Sequence, residues 1–269
     1  MPNPTRTLLA LAFLLAARAL GAPGAPGAPG AVGAVDERWH IVEIGGAKAG
    51  HMVERTRRLD DGALRTESEM ALRIARGPVT IDVVVNAESV ERETGEPVSM
   101  RLEQRLGAAT MTTDVTFDGR TATAVDTQFG QRSEPRSFDV PDSALMPGAL
   151  ARELERRVRA GEDRIELVAI DPTTASVVTG VYTRGDRVVV HAAGRDVAAT
   201  TWKVEQSVMP GVVSTYFLDD DAEMVKGEIA LGGLTLTLSL VEKDLALAPG
   251  HPAELLASTL VRPDRLIRE

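Results

Sequence analysis

Apolar and polar residues alternate with a period of two along most of the chain between residues 38 and 243. In the segment 63–74, Leu64 and Met70 lie on the apolar parity with Thr66 and Ser68 between them, whereas Arg and Glu fill the other parity. The same alternation recurs in the segments 79–86, 98–106, 110–117, 202–208 and 234–240. Period two places successive side chains on opposite faces of a strand, so each segment predicts a β-strand with one buried and one solvated face.

Turn-forming residues separate the alternating segments. Asp-Gly and Gly-Gly pairs supply the positive φ that tight hairpins require. The candidate turns are Gly45-Gly46, Asp61-Gly62, Gly95-Glu96-Pro97, Asp118-Gly119, Gly185-Asp186 and Gly232-Gly233. Roughly a dozen strands joined in this way predict an antiparallel meander that strong twist curls into a half-barrel or open barrel. The predicted fold class is mainly β, and one continuous sheet is favoured over two smaller sheets.

One amphipathic helix is predicted over 149–160. Its apolar residues recur every four positions, Glu and Arg stand four apart in the favourable order, and Gly161 follows as a C-terminal stop. Such a helix would cover the open face of the curled sheet. The residues at this lid are Leu145, Met146, Leu150, Leu154 and Val158. They would line an apolar cavity or close a dry core, and the pattern favours the dry core.

The N-terminus predicts export. Arg6 precedes an apolar run of ten residues, Leu8–Ala17, and Ala19-Leu20-Gly21 fits a signal-peptidase site. A membrane-spanning helix needs about 20 apolar residues, so residues 1–21 predict a cleaved signal, with an N-terminal membrane anchor as the alternative. Three Ala-Pro-Gly triplets make residues 22–36 a flexible linker. The β domain is then expected over 37–245, and a C-terminal tail over 246–269 carries a short helix at 253–258.

Composition excludes several classes of function. The net charge of −9 argues against a nucleic-acid partner, which needs a positive surface, and 3 % aromatic residues offer little for base stacking. The absence of cysteine excludes disulfides, thiolate zinc sites and a cysteine nucleophile. We expect an exported protein, periplasmic or secreted, with no stable transmembrane span once the signal is removed.

Motifs that carry chemistry are missing from the sequence. Four histidines, His40, His51, His191 and His251, each stand apart from any second metal ligand at a usual spacing. The run Asp219–Asp221 and the tripeptide Arg184-Gly185-Asp186 are both interpreted as hairpin turns. There is no nucleophile elbow, no phosphate-binding loop and no dinucleotide fingerprint. We therefore predict no catalytic residue, no cofactor and no metal.

Several loose motifs resemble the N-terminal, non-catalytic region of exported bacterial transglutaminase-like proteins. They are Glu37-Arg38-Trp39-His40, Gly45–His51, Glu96–Met100, Gly161-Glu162-Asp163, Ile170-Asp171-Pro172, Thr215–Asp220 and Val261–Arg265. In that family a later domain holds a Cys-His-Asp triad, which this cysteine-free sequence does not contain. The strand pattern is also similar to that of periplasmic half-barrel lipoprotein carriers, which enclose an apolar cavity.

Three functions are consistent with these features. The first is an exported, non-enzymatic β module that binds a protein partner or an apolar ligand. The second is a truncated or split transglutaminase-like enzyme whose catalytic domain lies elsewhere. The third is a hydrolase that uses carboxylates in catalysis, and only the acidic composition supports it. We take the first as the working hypothesis.

Overall fold

One sheet of 17 strands contains most of the chain that the structure describes. The structure is a computed structural model, and it describes residues 35–171, 174–231, 234–250 and 252–254. The predicted signal at 1–21 and most of the linker therefore lie outside the described residues. Among those residues, neither helix is long and apolar enough to cross a membrane.

The strands and helices are numbered in chain order. The strands are β1 (Val35–Ile44), β2 (Ala47–Arg58), β3 (Leu64–Arg76), β4 (Val79–Glu91), β5 (Pro97–Leu106), β6 (Ala109–Asp118), β7 (Thr121–Gln128), β8 (Gln131–Arg132), β9 (Arg136–Asp139), β10 (Ala144–Leu145), β11 (Arg164–Asp171), β12 (Ser176–Ala192), β13 (Arg195–Gln206), β14 (Val213–Leu218), β15 (Met224–Leu231), β16 (Leu234–Val241) and β17 (Ala253–Glu254). The helices are α1 (Pro147–Arg159) and α2 (Lys243–Leu247).

Two antiparallel meanders share the sheet. The first runs from β1 to β7 with β8 and β9 beside β7, and the second runs from β11 to β16. β1 pairs with both β2 and β16, so the two meanders join into one sheet. Only the short β10–β11 and β17–β3 pairings are parallel among the described strands. The prediction of a mainly β, continuous, curled sheet is confirmed.

An apolar cluster brings the two edges of the curled sheet together. Met100 and Val115 from the first meander pack in it with Met146 and Ile170 from the far edge. The Arg136 guanidinium on β9 donates hydrogen bonds to backbone carbonyls next to β12, those of Ala175 and Thr174. The sheet therefore curls almost into a barrel, and side chains rather than strand pairing bridge the seam.

The main core fills the inside of the curl. Alternate residues of β1–β5 and β11–β16 point inwards, as period two requires. The largest fully buried side chains include Trp202, Tyr182, Tyr216, Met52 and Met70. Burial of this apolar surface supplies the main stabilisation of the sheet.

Helix α1 lies close to its predicted position, two residues earlier at its start and one at its end. Pro147 begins it because proline is suited to the first helical turn, and Gly161 ends it with a φ of +80°. Leu150 and Leu154 on its apolar stripe pack into the main core. The i,i+4 ion pair of Glu155 with Arg159 also forms.

Two predicted details are wrong. Gly185-Asp186 is not a hairpin turn: β12 runs through it, with an irregularity between Arg184 and Arg187. The close approach of the Thr201 hydroxyl leaves no room for a Cβ at Gly185, which accounts for glycine within the strand. Ala253 and Glu254 begin no helix but pair as a strand with β3, and the short helix α2 precedes them. The rest of the segment 253–258 and the turn Gly232-Gly233 lie outside the described residues.

Candidate functional site

One end of the interior is rich in polar and charged side chains. We call this region the polar end, and define it by inward-facing side chains on β1–β4 and one side chain from the β14–β15 turn. Its members are Asp36, Arg38, His40, Glu54, Thr66, Ser68, Ser89, Glu91 and Glu223. The strand register fixes the orientation: His40 is paired with buried Met52, and Arg38 is paired with Glu54. Cross-strand partners share one face of a sheet, so these side chains lie on the face that builds the core.

His40 and Glu54 are the most unusual members of the polar end. Their exposed fractions are 0 % and 3 %. Both ring nitrogens of His40 and both carboxylate oxygens of Glu54 lack a hydrogen-bond partner within the described part of the chain. They are diagonal neighbours across β1 and β2, a relation that places Cα atoms about 7–8 Å apart on one face. Buried polar groups are normally hydrogen-bonded, so this pair requires an explanation.

Arg38 links the buried pair to the rim. Its Nη2 donates to Glu223 Oε1 at 2.9 Å and lies 3.4 Å from Asp36 Oδ2. The side chain of Arg38 is 14 % exposed, whereas those of Asp36 and Glu223 are 38 % and 30 % exposed. Exposure therefore falls from the rim carboxylates through Arg38 to Glu54 and His40, so charged side chains connect the surface with the buried pair.

Burial sets the protonation of the site. Loss of hydration lowers the pKa of His40 to about 3, with a smaller contribution from the charge of Arg38, so the imidazole is neutral. Loss of hydration raises the pKa of Glu54 well above its usual range, against the opposing charge of Arg38. The pKa of Glu223 is raised chiefly by burial, which Arg38 opposes and neighbouring aspartates reinforce.

Helix α1 crosses this end of the sheet and is held at both ends. The Glu91 carboxylate at the end of β4 accepts the Ala149 backbone N–H at 3.1 Å and the Arg152 guanidinium at 2.6 Å. At the other end of the helix, the Arg159 guanidinium donates to the Asp221 carbonyl at 3.1 Å. The side chain of the N-cap residue, Met146, makes no capping hydrogen bond. Glu91 supplies the capping acceptor from another element instead.

The close fit of Glu91 depends on a glycine in the first turn of α1. A Cβ at Gly148 would lie 2.8 Å from Glu91 Oε1. The small residue therefore lets the buried carboxylate reach the helix N-terminus. The same turn that receives Arg159 also carries Glu223, so α1 and Arg38 meet neighbouring residues of one loop.

The five predicted lid residues fall into two groups. Leu150 and Leu154 belong to the main core, with Leu145 and Val158 packed against it. Met146 instead packs in the cluster that bridges the seam. Leu145 also lines a cleft of about 470 Å³ between α1 and β11. Their contact with an apolar ligand stays a prediction.

The described histidines lie in different surroundings, and the run Asp219–Asp221 forms a turn. His191 is exposed and 3.1 Å from Asp196, His51 stacks at a tilt near Trp39, and His251 lies outside the described residues. Within the described ranges, no group of three or more His, Asp or Glu side chains could hold a metal ion. Asp219 closes the β14–β15 turn by accepting the backbone N–H groups of Asp221 and Glu223, as its interpretation as a turn requires.

Sequence reasoning did not find the polar end. It took His40 as an isolated histidine and assigned no role to Glu54. A signal was nevertheless present, because Thr66 and Ser68 interrupt the apolar parity of β3 and both are buried. Polar residues on an otherwise apolar face indicate where the lining of the interior changes from apolar to polar.

Comparison with known proteins establishes the fold and little else. No protein-family model matches the chain, and no curated protein matches it either. Among solved structures, the chain is similar to the "Beta-barrel-like Protein of Domain of Unknown Function DUF1849 from Brucella abortus". The similarity has a TM-score of 0.55 at 13 % identity, and it covers 77 % of this chain and 95 % of the other. At this identity the likeness shows a shared β-barrel-like fold.

Proposed function

We propose that the chain is an exported, non-enzymatic β module that binds a small ligand at the polar end, beneath α1. The observation that carries this proposal is the buried, unpartnered pair of His40 and Glu54. A ligand with polar groups would complete their hydrogen bonds.

The energetic cost of burying His40 and Glu54 without hydrogen-bond partners in the chain supports a bound molecule. Burying a polar group without a partner costs roughly 1–3 kcal/mol in proteins, and here four polar atoms are involved. Apolar residues of similar volume would avoid that cost at both positions. We therefore interpret this buried pair, which adjoins charged side chains at the rim, as a binding site rather than as part of a structural core.

The remaining parts of the proposal rest on the sequence. Export follows from the basic residue, short apolar run and small residues at the N-terminus. A non-enzymatic role follows from the lack of cysteine and of any recognised nucleophile motif in the sequence. The relation to transglutaminase-like N-terminal regions stays a prediction, and a Cys- and His-bearing domain encoded downstream or in the adjacent gene would support it.

Native mass spectrometry of the protein purified from the export compartment tests the proposal. We expect a small mass that departs on denaturation and that is missing from the double variant His40→Leu, Glu54→Met. The variant Glu69→Gln is the matched control, because this glutamate lies on the next strand with its side chain 45 % exposed. A bare polypeptide mass in every preparation would contradict ligand binding.

The apolar-ligand alternative predicts a different result. In that case the bound mass would persist in the double variant and be lost when Leu150 and Leu154 are changed to serine. Turnover of generic ester or glycoside substrates by the purified protein would contradict the non-enzymatic part of the proposal.

A further inference from the structure

Carboxylates outnumber cations around the unpartnered pair. Within the described part of the chain, Asp36, Glu54 and Glu223 lie near one guanidinium, that of Arg38. Arg38 already contacts two of the three carboxylates at 2.9 and 3.4 Å. Neither oxygen of the third carboxylate, Glu54, has a hydrogen-bond partner among the described residues. The other buried acid of the polar end, Glu91, is neutralised separately by Arg152 at 2.6 Å.

The hydrogen-bonding capacity of the pair is dominated by acceptors. An ionised Glu54 offers two acceptor oxygens, and a neutral His40 offers one acceptor nitrogen and one N–H donor. An ammonium group carries three N–H donors and no acceptor. It would thus match the three acceptors, while water or a hydroxyl on the ligand could take the N–H of His40.

We propose that the polar end binds a small organic cation through a primary ammonium group, with Glu54 as its charge partner and His40 as its second acceptor. This inference rests on the proposed ligand-binding function and names the class of ligand. Asp36 and Glu223 at the rim would attract the cation before it reaches the interior.

The carboxyl of Glu54 makes the binding of a cation depend on pH. Burial raises the pKa of Glu54, so its carboxyl holds a proton up to a higher pH than an ordinary glutamate does. A cation that pairs with ionised Glu54 displaces this proton, and binding therefore strengthens as pH rises. The neutral form of His40 is retained throughout, since its pKa lies at about 3.

Calorimetric titration with matched probes tests the inference. The cations are methylammonium, ethanolamine and putrescine, and their uncharged counterparts are methanol, ethylene glycol and 1,4-butanediol. We expect binding of at least one cation, with proton release seen as a dependence of the heat on buffer ionisation enthalpy, and no binding of its counterpart. Glu54→Gln should weaken that binding about 10- to 100-fold, the range expected for loss of a charged hydrogen bond. The control Glu69→Gln should leave it unchanged.

The outcomes separate the class of ligand from the function itself. The assignment to a cation is wrong if an uncharged counterpart binds as well as its amine. It is also wrong if no amine binds while mass spectrometry still shows a ligand that is lost in the double variant. In both cases the proposal of ligand binding stands. If no amine binds and no ligand is found, both proposals fall and ordered water fills the site. Binding of Ca²⁺ that competes with the amine would also overturn the assignment to an ammonium group.

Discussion

The two ends of β1 differ in chemistry although they face the same interior. Val42 and Ile44 pack in the main core, whereas His40 and Arg38 lie two and four positions before Val42 on the same face. His40 is as fully buried as Val42. The comparison shows that burial alone does not identify a stabilising core. Removal of water stabilises the fold at the apolar end and destabilises it at the polar end.

Different interactions hold the two ends. The apolar end is stabilised by close packing of large side chains, including Trp202 and Tyr216. The polar end depends on a few charged contacts: Arg38 with Glu223, and Glu91 with the N-terminus of α1. We therefore expect substitutions at the apolar end to affect folding most, and those at the polar end to change pH dependence, helix attachment and binding.

The largest loss of stability is expected at the apolar end. Trp202→Ala should lower the free energy of unfolding by about 3–5 kcal/mol, because it leaves a large cavity in the core. Urea denaturation measures the change. Phe129→Ala is the control, since this side chain is 74 % exposed, and it should alter stability by less than about 0.5 kcal/mol. Equal losses in the two variants would contradict the assignment of Trp202 to the core.

The pH dependence of stability should distinguish the polar end. His40 has a pKa of about 3 in the fold against an ordinary value of 6.5, so the unfolded chain binds more protons between these values. Stability therefore falls as pH falls below 6.5, by up to about 1.4 kcal/mol per pH unit or roughly 2 kcal/mol at pH 5.

The variant His40→Leu isolates this effect from other titrating groups. Glu54 acts in the opposite direction: its raised pKa contributes stability at low pH that is lost as pH rises through the value in the fold. Because Glu54, Asp36 and Arg38 remain in the variant, the difference between the two pH profiles reports His40. Parallel profiles between pH 7 and 5 would show that His40 is not buried in its neutral form.

Attachment of α1 should depend on Glu91. Glu91→Gln removes the charged acceptor of the Ala149 N–H and of Arg152, and should cost about 1–2 kcal/mol. Hydrogen exchange within residues 147–159 should become faster than in the rest of the protein. Glu93→Gln is the control, because the side chain of Glu93 is 72 % exposed and surface pairs contribute little. Unchanged exchange in α1 would rule out the capping role.

The smallest effect is expected to be a gain in stability. Glu54→Met replaces a buried, unpartnered carboxyl with an apolar side chain of similar length, and should raise the free energy of unfolding by about 1 kcal/mol. Chemical denaturation without added ligand is the measurement. A loss of stability would mean that Glu54 supports the fold, which would weaken its interpretation as a binding residue.

Local patterns predicted most of the architecture. The period of two gave the strands, and Gly45-Gly46 turned the first hairpin with φ values of 60° and 81°. The failures at Gly185 and at Ala253 have a common reason. The glycine responds to Thr201 on the neighbouring strand, and Ala253 pairs with β3, which is distant in sequence. Neither contact can be predicted from the residues that are adjacent in the sequence.

The site was less accessible to prediction than the fold. Arg38, Glu54 and Glu223 come from three separate elements, and 185 positions separate Arg38 from Glu223 along the chain. Glu91 and α1 likewise meet across 58 positions. Charged residues within strands usually face solvent, so their charge argued against an inward position, although Thr66 and Ser68 already marked polar positions on the inner face of β3.

The amino-acid sequence by itself determined which residues alternate, where most hairpins turn and where the amphipathic helix forms, because these properties depend on neighbours within a few positions. The tertiary structure alone decided that β1 joins two meanders, that Glu91 caps a distant helix and that His40 and Glu54 share a buried face. Such relations arise from the curl and register of the whole sheet, which bring together side chains that no local pattern connects.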